Sequence, residues 1–276
     1  MTATHVNTGK YVMTNYLIDT HAHLDMVINK DEEKQATDKE IRETLSEMYE
    51  YGVQKVIIPA VEEKTLDRIV EIANTFENVF AMVGIFPSEA KTYTEMLETK
   101  LEKLAGNKKV VAVGEVGLDY YWDKSFNNIQ KEVFTKQIKL ANRLNLPIVV
   151  HDREAHKETF DIIKAENKGS KVIFHCFSGS VEFMKECTRE GWYIALGGVV
   201  TFKNAVKMKD VAKEVPLDKL VLETDSPYLT PVPHRGKPNK PAYVKFVAEE
   251  ISKIRGISFD EVAEITTKNA EEFFGI

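Results

Sequence analysis

The stretch IDTHAHLD, residues 18–25, closes an apolar run and sets His21 and His23 two positions apart. Side chains two apart on an extended chain share a side, so the two imidazoles leave the run together, between Asp19 and Asp25. The stretch holds no glycine. An open doubly wound sheet usually carries a glycine-rich phosphate loop after its first strand. A first strand ending in polar side chains instead suits a closed barrel, whose working residues sit at the C-terminal strand ends. Whether the pair binds a metal or simply ends a strand depends on what later strands bring to it.

Later runs repeat the pattern. After YLID (16–19) come VQKVII (53–58), VFAMVGI (79–85), VVAVGEV (110–116), PIVVH (147–151), KVIFHCF (171–177), WYIALGG (192–198) and KLVLETD (219–225). Between them lie stretches with helical spacing, such as DKEIRETLSEMYEYG, which puts Ile41, Leu45 and Met48 on one face, and EKTLDRIVEIANTF, NIQKEVFTKQIKLANRLN and FDIIKAEN. Apolar strands joined by helical crossovers predict a parallel sheet covered on both faces. About eight such units predict an α/β fold of the (β/α)8, or TIM-barrel, type. The tail SFDEVAEITTKNAEEFFGI predicts one or two closing helices. No linker, repeat or low-complexity stretch divides the chain, so residues 15–276 read as a single barrel domain after a loose leader, 1–14, that contains His5.

Hydrophobic residues make up 43% of the 276 and charged residues 29%, which is the balance of a folded chain rather than a disordered one. The formal net charge of −6 excludes a basic nucleic-acid coat. A nucleic-acid partner would have to be met by a local patch or by bound cations. Two cysteines, Cys176 and Cys187, make neither a disulfide framework nor a C-x-x-C pair, which points to the reducing cytoplasm. No apolar run reaches membrane-spanning length and no secretory signal opens the chain.

On a barrel, the ends of the runs share one rim. The first ends in His21 and His23, the fourth in Glu115, the fifth in His151, the sixth in His175 and the eighth in Asp225. Each has a simpler reading taken singly. A histidine after an apolar run is more often a hydrogen-bonded strand end than a ligand, Glu115 could pair with a lysine, and Asp225 before Ser-Pro is a good turn residue. Four of seven histidines and two acids selecting one rim is harder to assign to turn chemistry. Imidazoles with carboxylates suit Zn, Mn, Fe or Ni better than Ca. The set exceeds what one open catalytic ion needs and serves two if a carboxylate bridges. His156 reads as a surface residue, and His234, in TPVPHRGKPNK, as one that could touch substrate.

In this order, IDTHAHLD, AVGEVGLDYYW, PIVVHDREA, FHCFSG and ETDSPYLTP with RGKPNKP resemble the TatD family of metal-dependent deoxyribonucleases, a branch of the amidohydrolase-like barrels. The resemblance covers the chain beyond the leader. It implies a hydrolase of DNA phosphodiester bonds with 3′ to 5′ exonuclease action, DNA ends as the partner, and two divalent ions drawn from Zn, Mg, Mn, Fe or Ni. His21 and His23 would bind one ion, His151 and His175 the other, and Glu115 would bridge. Asp225 would complete the first site and act as general base. Arg153, Arg235 and Lys237 would meet phosphate, with Ser178 as a further donor. Tyr120, Tyr121 and Trp122 would either stack on a base or pack over the barrel mouth. Two departures stand out. Phe86 replaces a family histidine in Gly84-Ile85-Phe86-Pro87, and Lys240 replaces a family glutamate in Asn239-Lys240-Pro241. Two alternatives stay open: an amidohydrolase acting on a small cyclic amide or ester, and a metal-binding barrel without strong activity. The sequence does not fix the oligomeric state, and a monomer is compatible with it.

Overall fold

A computed structural model describes residues 16–29 and 32–276; the leader expected at 1–14, with His5, lies outside them. The chain runs from β1 (Leu17–Asp19) through a hairpin of β2 (Met26–Asn29) and β3 (Glu32–Gln35) into α1 (Asp38–Glu50). Strands and helices then alternate: β4 (Val53–Pro59), α2 (Leu66–Thr75), β5 (Val79–Val83), α3 (Glu95–Ala105), β6 (Val110–Asp119), α4 (Asn127–Leu144), β7 (Ile148–Arg153), α5 (His156–Glu166), β8 (Val172–Phe174), α6 (Val181–Arg189), β9 (Tyr193–Leu196), α7 (Val206–Glu214) and β10 (Leu220–Leu222). Helices α8 (Val244–Arg255) and α9 (Phe259–Phe274) follow. All eight apolar runs are strands of one sheet, in the order β1-β4-β5-β6-β7-β8-β9-β10. Every adjacent pair is parallel, as helical crossovers require. The β2–β3 hairpin has no counterpart in the sequence reading. Among the described residues no helix is long and apolar enough to cross a membrane.

The sheet closes into a barrel where β1 meets β10. Thr20 donates its backbone N–H to Leu222 O at 3.1 Å, Asp225 N–H reaches His21 O at 2.9 Å, and His23 N–H reaches Ser226 O at 2.8 Å. Asp19, fully buried, completes the seam: Oδ1 accepts the Thr224 N–H at 2.9 Å and Oδ2 the Thr224 hydroxyl at 2.6 Å. Burial holds its carboxyl well above the ordinary range against the pull of those bonds. The closure therefore fixes the first and last site-bearing strands to each other.

Two apolar layers follow from strand alternation. Ile18, Ile57, Met82, Ala112, Val149, Ile173, Ala195 and Val221, one from each barrel strand, form an inner cluster closed by Phe273 and Phe274 of α9. Their neighbours along the strands, such as Leu17, Val56, Val150 and Phe174, pack outward against the helices. Helix α4 adds a polar function to its packing. Gln130 and Gln137, seven apart and so on one face, are both buried. Gln137 exchanges two hydrogen bonds with the Ile85 backbone, at 2.8 and 3.0 Å. Gln130 does the same at Asp119, at 2.9 and 3.0 Å. The ends of β5 and β6 are thereby clamped where they approach the barrel mouth.

Close strand approach requires glycine at position 117. Gly117 has φ +146°, and a Cβ there would stand 2.0 Å from His151 O on β7. Gly117→Ala is expected to lower stability by about 3 kcal/mol, combining overpacking with an unfavourable φ. Denaturant unfolding measures it, and a loss below about 1 kcal/mol would mean that the two strands separate without cost.

Candidate metal centre at the barrel mouth

Alternation carries the apolar interior directly into the site. Two residues beyond the inward Val149, Ile173 and Val221 stand His151, His175 and Glu223, and two beyond Glu223 stands Asp225. His21 and His23 leave β1 just past Ile18. Glu115 comes from β6, whose register against β7 shifts between Val113 and Val116, an irregularity of the kind that re-aims a side chain. The six residues expected at the rim lie together.

Glu115 is the hub. Its Oε1 lies 2.7 Å from His175 Nε2 and 2.9 Å from His151 Nδ1, while Oε2 lies 3.3 Å from His21 Nε2. Asp225 Oδ1 lies 3.6 Å from His23 Nε2 and 3.9 Å from His21 Nε2. Two compact sets of possible ligand atoms result, each within 4.8 Å: His21, His23 and Asp225, and Glu115, His151 and His175. A third combines His21 and His175 with Glu223. The donors fit cations on a second observation. Buried His21 has neither ring nitrogen in a hydrogen bond among the described residues, and His175 Nδ1 is likewise unmatched. Such orphans cost about 1–3 kcal/mol each unless something binds them. Left-handed backbone at Cys176 (φ 44°) and Asp225 (φ 56°) falls on the same rim, where strain commonly accompanies function.

The titration pattern is that of a cluster built for positive charge. Burial opposes the charged form of His175, yet the Glu115 and Glu223 carboxylates raise its pKa well above the ordinary value. Burial likewise opposes His151 and His23, but Asp119 and Glu115 hold His151 up and Asp225 holds His23 up. Burial and the nearby His175 lower His21. Burial would raise Glu115 and Asp225, but the imidazoles around them bring both down, Glu115 well below its usual range. The raised histidines stabilise the ion-free fold below the ordinary imidazole pKa of about 6.5, and this contribution fades as pH rises through their folded values. Cations compete for the same nitrogens. Ion affinity is therefore expected to climb with pH by about tenfold per unit for each proton displaced. Calorimetry in buffers of different ionisation heat reads the protons, and release of none at pH 6 would show the histidines to be bystanders.

Two carboxylates went unassigned in the sequence. The fourth run extends to Asp119, so Glu115 lies inside β6 rather than at its end. Asp119 Oδ2 lies 3.0 Å from His151 Nε2, which leaves His151 Nδ1 facing Glu115. Glu223 Oε1 accepts the Cys176 N–H at 2.6 Å and lies 3.7 Å from His175 Nδ1. The only signal for either in the sequence is spacing, Asp119 four beyond Glu115 and Glu223 two before Asp225, and that spacing does not fix which partner each meets.

A cavity of about 1000 Å³ opens over the centre, lined by Glu115, His151, His175 and Asp225 and, farther out, by Arg153 and Ser178. His234 and Arg235 line neither this cavity nor a smaller one beside His23. His234 stacks on Tyr243 with centroids 4.3 Å apart, and Arg235 Nη1 donates to Thr230 O at 2.9 Å. Lys237 borders the smaller cavity. His156, expected on the surface, is 35% exposed at its side chain, lines the larger one as well and meets Asp152 Oδ2 at 2.7 Å through Nδ1. Phe86 sets its ring edgewise to His151 at 4.6 Å, so the departure from the family pattern puts an apolar contact beside a ligand candidate. Lys240 Nζ pairs with Glu47 at 2.6 Å, which balances the other departure locally. Tyr120 is buried, while Tyr121 and Trp122 are exposed.

Comparison with known proteins agrees with this geometry. The family model described as TatD related DNase matches residues 18–275. Metal-dependent hydrolase YabD of Bacillus subtilis (strain 168), itself uncharacterized, is 42% identical over 261 residues, covering 94% of this chain and 99% of that one. The likewise uncharacterized hydrolase YcfH of Escherichia coli (strain K12) is 34% identical over 262 residues, covering 95% and 96%. The crystal structure of YjjV, a TatD homologue from Escherichia coli K12, superposes with a TM-score of 0.86 at 29% identity, covering 94% and 98%.

Proposed function

The chain belongs to the family of TatD-related DNases, and from that premise we propose that it is a divalent-metal-dependent hydrolase of phosphodiester bonds that shortens DNA from single-stranded ends in the 3′ to 5′ direction. The observation that carries the reading is the division of Glu115 between two groups of imidazoles, Oε2 toward His21 and Oε1 toward His151 and His175, at the floor of an open cavity. His21, His23 and Asp225 would hold one ion, His151 and His175 the other, with Glu115 shared. Divalent ions bound there (Zn, Mg, Mn, Fe or Ni) would supply Lewis acidity to a phosphoryl oxygen and make water a better nucleophile near neutral pH.

The chain's own groups do the rest. The Asp225 carboxylate accepts the proton of the attacking water as its oxygen bonds to phosphorus and the bond to the leaving oxygen breaks, the leaving oxygen taking a proton from solvent. The Asp225 side chain is 17% exposed against 4% for Glu115, so of the two Asp225 is the more open to solvent. The Arg153 guanidinium carbon lies over the Tyr121 ring, 3.8 Å from its centroid, and the guanidinium's fork of N–H donors suits phosphate oxygens. Ser178 lines the same wall beside Lys207. His234 and Arg235 would meet a strand only where it leaves the cavity. With a net charge of −6, DNA contact rests on these few cations and the bound ions, and affinity should fall steeply with salt. Both cysteines are free, in keeping with a cytoplasmic setting.

The test is an assay of chelator-stripped and metal-restored protein on bis(p-nitrophenyl) phosphate, on end-labelled single-stranded DNA, and on a lactone and a cyclic amide. The expected result is metal-restored diester cleavage with progressive loss from the 3′ end. Lactone or amide hydrolysis alone would move the chain to the amidohydrolase class, and metal loading without hydrolysis of any of them would leave a binding barrel.

A further inference from the structure

Two aromatic rings beside the centre have no part in the chemistry above. Tyr121 and Trp122, just past β6, are 47% and 72% exposed, whereas large rings are ordinarily mostly covered. They meet edge to face with centroids 4.8 Å apart. The Arg153 guanidinium lies 3.8 Å from the Tyr121 centroid and 5.5 Å from that of Trp122. The group is anchored, because Asp119, which faces His151 with Oδ2, accepts the Tyr121 N–H at Oδ1 at 2.9 Å. One carboxylate thus fixes both an imidazole of the centre and the start of the aromatic pair. Tyr121, Trp122 and Arg153 all line the cavity that contains Glu115, His151, His175 and Asp225.

We propose that Trp122 and Tyr121, edged by Arg153, form a stacking platform for one unpaired nucleobase of a single-stranded nucleic acid whose backbone enters the metal centre. The proposal rests on the phosphodiesterase reading for what lies beside the platform. Continuity with that centre selects the occupant. Base and phosphate are joined covalently, so a chain with its phosphate at Arg153 carries a base within reach of the adjoining rings. Every base has a π-face and stacking tolerates any sequence, whereas bases inside a duplex have both faces covered. Arg153 serves both parts, its cation over the Tyr121 ring and its N–H donors available to a phosphate. A cavity of about 1000 Å³ lies at the roomy end of small-ligand sites and accommodates more than the scissile group.

The chain's two tryptophans make the test clean, since Trp122 is exposed and Trp192 is 6% exposed. Full-length protein, metal-loaded, is titrated with a labelled phosphorothioate oligothymidylate and with an abasic oligomer of the same backbone. Anisotropy gives the affinities and tryptophan emission the site of contact. The base-bearing oligomer is expected to quench emission and bind about 5- to 150-fold more tightly than the abasic one. In Trp122→Ala that ratio should collapse to within about twofold, and Trp122→Phe should keep most of it. A ratio near one in the native protein, a ratio retained by a folded Trp122→Ala, or emission that shifts with protein concentration alone, as when a second copy covers the ring, would overturn the platform. Bis(p-nitrophenyl) phosphate, which has no base, separates the two readings. Base-dependent quenching without diester hydrolysis sustains the platform and removes the hydrolase, and hydrolysis without base dependence does the reverse.

Discussion

Glu115→Ala is expected to abolish phosphodiester cleavage, by at least about 10³-fold in kcat, and to lower the metal content to one ion or none per chain. Glu115 reaches His21 with one oxygen and His151 and His175 with the other. Removing it also unbalances the ion-free protein. His151 and His175 owe their raised pKa values in part to this carboxylate, and without it the charged form of His151 keeps only Asp119 as a partner and that of His175 only the more distant Glu223. Breaking a buried pair in this way costs about 3–5 kcal/mol, limited by the ability of the imidazoles to discharge. The sign follows from the shifts. The lost stability is largest below the ordinary imidazole pKa of about 6.5 and above the depressed value of Glu115, and it shrinks as pH rises through the raised histidine values. Elemental analysis, diester kinetics and unfolding at two pH values read the three effects. Activity within tenfold of native in the purified variant would reject the site as assigned.

The barrel and most of its centre were legible because strand burial and strand alternation leave strong marks. Eight apolar runs separated by helical spacing have few other parallel arrangements, and His151, His175 and Asp225 follow inward core positions at even steps. What stayed hidden depends on contacts between distant segments. Asp119 gained its partner only when β6 proved to run past Glu115 to meet β7, and no pattern within residues 110–119 fixes that register. Glu223 sits among polar strand-end residues that turn chemistry would equally explain. His156 was read as a surface residue because one turn of helix does not reveal a cavity beside it. His234 and Arg235 share a loop rich in proline and cations, where composition marks exposure but not direction. Arg235 turns back on Thr230 of its own loop and His234 stacks on Tyr243 just beyond it.

Asp225→Asn separates proton transfer from ion binding more sharply than any other change. Asp225 holds a left-handed φ of 56°, which asparagine adopts about as readily as aspartate and alanine does not. The backbone anchors, its N–H to His21 O and its carbonyl to the Tyr228 N–H, both at 2.9 Å, are untouched by the exchange. The amide keeps an oxygen to face His23 but cannot take up the proton of a water at neutral pH. Kcat is therefore expected to fall by about 10²- to 10⁴-fold, with KM for the diester changing much less, when measured at metal concentrations high enough to offset weaker binding by a neutral ligand. Ion content near that of the native protein under those conditions assigns the loss to proton transfer. If kcat recovers fully as metal is raised, Asp225 acts as a ligand alone and the base must be sought elsewhere on the rim. Glu223 is the poorer candidate for that role, because it is completely buried and a base must meet water.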